Sequence, residues 1–369
     1  MTTTATKQDI RKLTANQIKD WFVQHGEPGF RAKQVHEWLW KRSALSFGQM
    51  TNLSLPTREL LGTHFEIRPL TVDQQQRSND GTIKSSFRLF DGNLVEGVLI
   101  PALRNDARSD RYAGAGPHDR MTACVSSQVG CSLTCKFCAT GYMDRKRNLD
   151  AAEIYDQVVA IDRQAKENYD APLSNIVYMG MGEPLLNYKN VLESVDRITS
   201  ADGLGMSPKR ITVSTAGIAK MIRQLGDDAV KFNLALSLHA ANDIKRNQIM
   251  PVNESNTLAV LGDALGYFYQ KTGTRITFEY ILFYNFNDTL QDAHELWKFT
   301  KRVPAKINII EYNPIAEANF TNTDPQTLDR FADFLADKGV TINVRQSRGK
   351  DIDAACGQLA GKQTANSNQ

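Results

Sequence analysis

The chain has 369 residues, a formal net charge of +3 and 41% hydrophobic residues, enough to bury a sizeable core in one large domain plus a smaller one. No apolar run reaches roughly 18 residues and the start of the chain is Thr-rich and polar, which argues against a membrane span or a secretory leader. Its five cysteines are odd in number and clustered, so they do not read as a secreted disulfide framework; a reducing cytoplasm is the expected setting.

Residues 1–64 carry nine Lys/Arg against five Asp/Glu, a local charge of +4 that leaves the remainder about neutral. This segment reads as three helices, over Ala15 to Gln24, Arg31 to Arg42 and Pro56 to His64, with Gly26, Pro28 and Gly29 separating the first two. Trp21, Phe22, Phe30, Val35, Trp38 and Leu39 recur at helical spacing and suit a small core. Arg31, Lys33, Lys41 and Arg42 either face phosphates or form a solvated helix face.

Three β-like runs follow, at Ile67 to Val72, Thr82 to Phe90 and Leu94 to Ile100. The last two flank Asp91-Gly92-Asn93, a hairpin signal because Gly and Asn accept positive φ. Glu96 lies in the third run among apolar neighbours, either facing solvent or held for a purpose. Residues 102–120, rich in Arg, Asp, Gly and Ala, read as a polar loop.

From Met121 onward strands alternate with helices. Apolar runs at Thr122 to Ser126, Asn175 to Met179, Ile211 to Ser214, Phe232 to Leu238, Ile276 to Phe283 and Ile307 to Tyr312 are separated by helical stretches near 150–169, 188–199, 217–226, 257–271, 288–302 and 325–337. Such βα repeats predict a parallel sheet with helices outside it, either a partial barrel or a doubly wound sheet, with Thr341 to Gln346 as one more edge strand. In both architectures ligands gather at the carboxyl ends of the strands.

The chemistry-bearing residues fall at those ends. After the first strand comes Cys131-x3-Cys135-x2-Cys138, three thiols that can wrap one face of an iron-sulfur cluster. Zinc is the other reading, although it usually takes a fourth protein ligand, and none follows soon after. Gly180 to Pro184 follow the second strand, Ser214 to Gly217 the third, Ser237 to Ala240 the fourth and Tyr312 to Pro314 the sixth. Taken singly, Gly182 suits a turn, Ser214 a helix cap and His239 a satisfied core position; together they suit a cofactor with several polar parts. Cys124 lies within the first strand. Cys356 occupies a polar loop before Gly357, where a thiol is accessible and free to move.

The C-x3-C-x2-C spacing followed by Met181-Gly182-Glu183-Pro184 resembles the radical SAM superfamily. Val125 to Cys131, Met179 to Pro184, Val213 to Gly217, Leu236 to Ala240, Tyr312 to Pro314, Arg348 to Leu359 and Phe30 to Val35 together resemble the RlmN family, along nearly the whole chain. The 102–120 loop appears longer than the family pattern.

The resemblance implies a partial (β/α)6 radical SAM barrel with a small N-terminal helical domain and a β-hairpin extension. It divides the chain into a helical RNA-binding part at 1–64, the extension and loop at 65–120, the core at 121–346 and a C-terminal loop and tail at 347–369. It further implies methylation of carbon 2 of adenosine in 23S rRNA and in certain tRNAs. One [4Fe-4S] cluster on Cys131, Cys135 and Cys138 and two S-adenosylmethionine molecules per turnover are implied. Gly182, Glu183, Ser214, Ser237, Leu238, His239 and Asn313 would contact the latter. Cys356 would carry the methyl carbon, Cys124 would resolve the RNA adduct through a transient disulfide, and Glu96 would accept the proton. A flavodoxin-like electron donor, a monomer and a cytoplasmic location complete the expectation. A Cfr-like carbon 8 methyltransferase and a zinc-bearing, non-catalytic RNA-binding protein are the alternatives.

Overall fold

The computed structural model describes residues 7–102 and 120–361. The polar loop expected over 102–120 lies outside the described residues except for its two ends, as do His118 and the tail beyond Gly361. The expected helices of the first segment are present as α1 (Ala15–Gln24), α2 (Arg31–Trp40) and α3 (Leu55–His64), preceded by a two-residue strand β1 (Gln8–Asp9) and followed by its parallel partner β2 (Phe65–Glu66). Thr14 starts α1 with a capping box: its side chain takes the Gln17 N–H while Gln17 takes that of Thr14.

Phe22, Val35 and Leu39 are buried as the helical spacing predicts, but Phe30 is exposed, and the unforeseen Trp40 is a second buried aromatic. Trp40 packs edge-on against Tyr155, whose hydroxyl donates to the Trp40 carbonyl oxygen. Arg11, itself buried, pairs with Asp9 at 2.9 Å and Asp156 at 2.8 Å, so apolar and ionic contacts both tie the first segment to the body. Of its four singled-out cations, Arg31 is paired with Glu27 and Arg42 with Glu37.

An antiparallel extension follows: β3 (Thr71–Arg77), β4 (Ile83–Arg88) and β5 (Leu94–Ala102). The strand expected at Ile67 to Val72 is corrected. β3 is a polar edge strand that starts four residues later, because pairing with β4 rather than apolar content makes it a strand. The Asp91-Gly92-Asn93 turn is present, with Gly92 at φ +80° and Leu89 N–H donating to Asn93 O at 2.9 Å.

The body comprises β6 (Arg120–Cys124), the short hairpin β7 (Gln128–Val129) and β8 (Arg147–Asn148), α4 (Ala151–Tyr169), β9 (Asn175–Tyr178), α5 (Tyr188–Thr199), β10 (Ile211–Thr215), α6 (Ala219–Asp227), β11 (Asn233–Ser237), α7 (Asp243–Ile249), α8 (Leu258–Thr272), β12 (Ile276–Ile281), α9 (Leu290–Thr300), β13 (Ala305–Ile310), α10 (Pro325–Asp337) and β14 (Thr341–Arg345). Sequence reading misses α7, a short polar turn of helix started by the Asn242 side chain.

Among the described residues one ten-stranded sheet runs β14-β13-β12-β11-β10-β9-β6-β5-β4-β3. From β6 to β14 neighbours are parallel and strictly sequential. A doubly wound sheet reverses its strand order at a switch point, and this sheet has no reversal. Right-handed crossovers in an unreversed order put every helix on one face. The architecture is therefore the partial (β/α)6 barrel, with β14 and β3 as its open edges. No helix among the described residues is long and apolar enough to cross a membrane.

Removing one partner of a buried pair strands the other charge. Asp156→Ala is expected to destabilise the fold by about 3 kcal/mol in urea unfolding; a loss under about 1 kcal/mol would mean that Asp9 alone compensates Arg11.

Candidate active site

The first site loop leaves β6 at Cys124 and reaches Cys131 through a glycine no other residue can replace without a clash. Gly130 has φ +75°, and a Cβ there would lie 2.2 Å from Asp144 O. The cysteine loop is then clamped on two sides. Lys136 N–H donates to Ile249 O at the end of α7 (3.0 Å), while Ala139 N–H donates to Gly357 O (2.7 Å) and Thr140 Oγ1 to Leu359 O (2.6 Å) in the C-terminal segment.

Cys131, Cys135 and Cys138 are half-buried within this loop. Burial pushes the Cys131 thiol up to about 11 and raises Cys135 and Cys138, with the neighbouring thiolates adding repulsion at Cys131 and Cys135. Such thiols ionise at little cost only beside a cation, as in a metal site. Among the described residues no three His, Cys, Asp or Glu side chains converge as ligands of one ion. The donor set itself, three thiols within one eight-residue loop, fits an iron-sulfur cluster.

The loop after β9 packs against the loop after β6. Gly182, at φ +92°, would place a Cβ 2.4 Å from that of Gln128, whose Oε1 accepts the Glu183 N–H at 2.8 Å. Both Glu183 oxygens are engaged, Oε1 by Leu185 N–H (3.0 Å) and Oε2 by Ala216 N–H (2.8 Å). Burial raises the Glu183 pKa against those bonds. Glu183 thus braces the ends of β9 and β10 against each other, and only its remaining lone pairs are left for a ligand.

Ser214 is buried at the end of β10, Ser237 half-buried at the end of β11, and Leu238 and His239 are buried just beyond. His239 has φ +55°, its Nδ1 accepts the Ile281 N–H at 3.1 Å, and its ring meets Phe137 of the cysteine loop edge-on at 4.6 Å. That bond places its proton on Nε2. Arg246, which the sequence reading passes over with α7, is fully buried. It donates to Leu238 O (3.1 Å), Ala216 O (2.6 Å), Ser237 O (3.1 Å) and Asn253 Oδ1 (2.6 Å), holding the carboxyl ends of β10 and β11 with one side chain. Asn313 donates to Cys356 O at 3.1 Å, and its buried Oδ1 has no partner.

Register settles what spacing left open for Glu96. Ser86 opposes Glu96, and Val98, two residues along from Glu96, opposes Cys124, so Glu96 and Cys124 share one face of the sheet. Gly97 points to the other face, where a Cβ would lie 3.2 Å from Ile161 of α4. Glu96 is buried; its Oε2 accepts the Ala360 N–H at 2.9 Å and Lys84 Nζ lies 3.6 Å from Oε1. Cys124 is buried and Cys356 exposed. Burial, then Cys356, raises the Cys124 pKa. Hydrogen bonds thus link the cysteine loop, the ends of β9, β10, β11 and β13 and Glu96 to one another and to the segment carrying Cys356.

Two family descriptions match the chain: the ribosomal RNA large subunit methyltransferase N-terminal domain over residues 8–67 and the radical SAM superfamily over residues 125–296. A protein of Cytophaga hutchinsonii named "Probable dual-specificity RNA methyltransferase RlmN" is 62% identical over 98% of this chain and 96% of its own. The chain belongs to the RlmN family. The dual-specificity RNA methyltransferase RlmN of Geobacter sulfurreducens is 42% identical over 96% of this chain and 92% of its own. The crystal structure of a radical SAM methyltransferase from Sphaerobacter thermophilus superposes with a TM-score of 0.86 at 37% identity, covering 96% of this chain and all of that one. The protein is a radical SAM RNA methyltransferase, which sets aside the zinc-bearing, non-catalytic alternative and disfavours the Cfr-like one. The RlmN family's radical SAM chemistry implies a [4Fe-4S] cluster and S-adenosylmethionine.

Burial and then the Arg246 charge lower the His239 pKa to about 3. The unfolded ring binds a proton below about 6.5 and the folded one does not. His239 therefore costs no stability above that value and weakens the fold progressively as pH falls toward 3. The expected signature is a His239 ring resonance that does not titrate between pH 5 and 8; a midpoint near 6.5 would contradict its buried, accepting geometry.

Proposed function

We propose that this RlmN family member methylates carbon 2 of an adenosine in 23S rRNA and of the adenosine 3′ of the anticodon in certain tRNAs. The observation that supports the reading is the docking of the segment carrying Cys356 on the sheet face that Glu96 and Cys124 share. One carboxylate and one buried thiol share a sheet face, and the segment bearing a second, exposed thiol is bonded to that face through Ala360.

When bound at Cys131, Cys135 and Cys138, the cluster supplies one-electron cleavage of S-adenosylmethionine and so a hydrogen-abstracting carbon radical. Gly182, Glu183, Ser214, Ser237, Leu238, His239 and Asn313 would hold the cofactor; Asn313 Oδ1, which has no partner among the described residues, and the His239 Nε2–H are polar groups on that rim. Carbon 2 of adenine is a poor nucleophile for a polar methyl transfer, so a carbon carried on Cys356 Sγ makes the bond instead. Glu96 takes the carbon 2 proton. Once the adduct has lost that proton and one electron, which the cluster would accept, Cys124 as a thiolate would bond to Cys356 Sγ; the sulfur-carbon electron pair would leave with the carbon, which takes up a proton as the product methyl group, freeing the RNA and leaving a disulfide.

Burial of the Cys124 thiol keeps it protonated and inert until the adduct forms. Two S-adenosylmethionine molecules serve each turnover, one for Cys356 and one for the radical. Residues 1–64 serve as the RNA-binding part, 65–120 as the extension, 121–346 as the core and 347–369 as the segment carrying Cys356. A flavodoxin-like protein supplies electrons to a monomer in the cytoplasm.

The deciding experiment reconstitutes the enzyme without oxygen, adds isotopically labelled S-adenosylmethionine and a 23S rRNA fragment, and identifies the nucleoside by mass spectrometry. Labelled 2-methyladenosine is expected; 8-methyladenosine would replace this reading with the Cfr-like one. Cys356→Ala is expected to abolish methylation, and full turnover would end the carrier role. Cys124→Ala is expected to accumulate a protein-RNA crosslink on denaturing gels, whereas an inactive variant without crosslink would give Cys124 a packing role.

A further inference from the structure

A polar cleft opens on the inner face of the antiparallel extension, between β3, β4, β5 and the segment carrying Cys356. Glu96 forms its acidic wall and Lys84 its cationic one. Strand pairing builds the lining: Gln74 opposes Ser86, which opposes Glu96, and Gln76 opposes Lys84 in the next row of the same face. Lys84 is 11% exposed in its side chain, with Nζ 3.6 Å from Glu96 Oε1 and 3.4 Å from Asp353 O. The ammonium has a third proton to donate. Ser86 is 8% exposed and its buried hydroxyl has no hydrogen-bond partner, an uncompensated polar group at the side of the proposed proton acceptor.

The shape of adenine gives these groups a use. Carbon 2 lies between N1 and N3, and in the neutral base both nitrogens are acceptors. A base whose C2–H points at a carboxylate brings two lone pairs toward that negative charge. Without donors beside the carboxylate the approach is repulsive. As the proton leaves, electron density builds on those same nitrogens, and an adjacent cation stabilises it.

We propose that Lys84 is a base-recognition residue that donates to a ring nitrogen flanking carbon 2, with the Ser86 hydroxyl as the donor for the second. The proposal rests on the reading of Glu96 as proton acceptor and extends it: the cleft reads the adenine edge that contains the reacting carbon.

The probes are three hairpin RNAs of the 23S rRNA target, carrying adenosine, 1-deazaadenosine or 3-deazaadenosine at the reacting position. Their inhibition constants are measured as competitors on the reconstituted holoenzyme. The wild-type enzyme is expected to bind one deaza hairpin roughly tenfold or more weakly than the adenosine hairpin, the scale of a hydrogen bond to a charged group. Lys84→Met is expected to bind those two within threefold of each other, and Lys84→Arg to restore discrimination. Ser86→Ala is expected to erase discrimination against the other deaza hairpin.

Equal binding of all three hairpins by the wild-type enzyme, or full discrimination retained in Lys84→Met, would overturn the proposal. Because each result is a ratio within one variant, a general loss of stability or RNA affinity cancels. Methylation by Glu96→Gln separates the two levels. Wild-type turnover in that variant removes the proton acceptor and this proposal together, whereas an inactive Glu96→Gln enzyme beside a non-discriminating cleft removes only the role of Lys84.

Discussion

The geometry of the site depends on one docking event, the seating of residues 356–360 across the strand-end rim. Five hydrogen bonds among the described residues hold it: Ala139 N–H to Gly357 O, Thr140 Oγ1 to Leu359 O, Asn313 Nδ2 to Cys356 O, Gln358 Nε2 to Pro314 O and Ala360 N–H to Glu96 Oε2. They come from the cysteine loop, the end of β13 and the extension, three places far apart in the chain. Gly357 permits the approach, since its φ of +86° is one that other residues rarely adopt and a Cβ there would crowd Phe137 O at 3.0 Å. Cys356 can then be exposed and movable while its neighbours on both sides are anchored.

Beneath that segment the rim is stiffened by charges turned inward rather than by apolar packing alone. Glu183 takes the Ala216 N–H and Arg246 takes the Ala216 carbonyl, so a buried anion and a buried cation grip the two main-chain groups of one residue. Burial lowers the Arg246 pKa to about 10, which leaves it charged at neutral pH, and its charge interacts with Cys135. A cation this deep satisfied by carbonyls rather than by a carboxylate suits a rim that must hold an anionic sulfur ligand set. The same rim keeps His239 neutral, a donor through Nε2 and an acceptor through Nδ1.

Much of this was legible in order along the chain. Alternating strand and helix runs placed the six βα units to within a few residues, because each element has its own apolar period and breakers. The three clustered cysteines and Glu183, between Gly182 and Pro184, stood out for the same local reason. The polar edge strand β3 and helix α7 did not, since neither carries an apolar stripe. Arg246 went with α7: in sequence it is one more cation in Asp243-Ile244-Lys245-Arg246, and only packing distinguishes it from Lys245 beside it.

The sequence by itself determined the kind of chemistry, because thiol spacing and glycine positions are constraints between near neighbours. The choice between a singly and a doubly wound sheet belonged to the tertiary structure, since identical βα strings satisfy both and only strand order separates them. So did the partnership of Glu96 with Cys124, Lys84 and Ser86. In a strand, side chains alternate faces, and which face meets which neighbour is set by register across strands that the chain joins only through turns and a long connection.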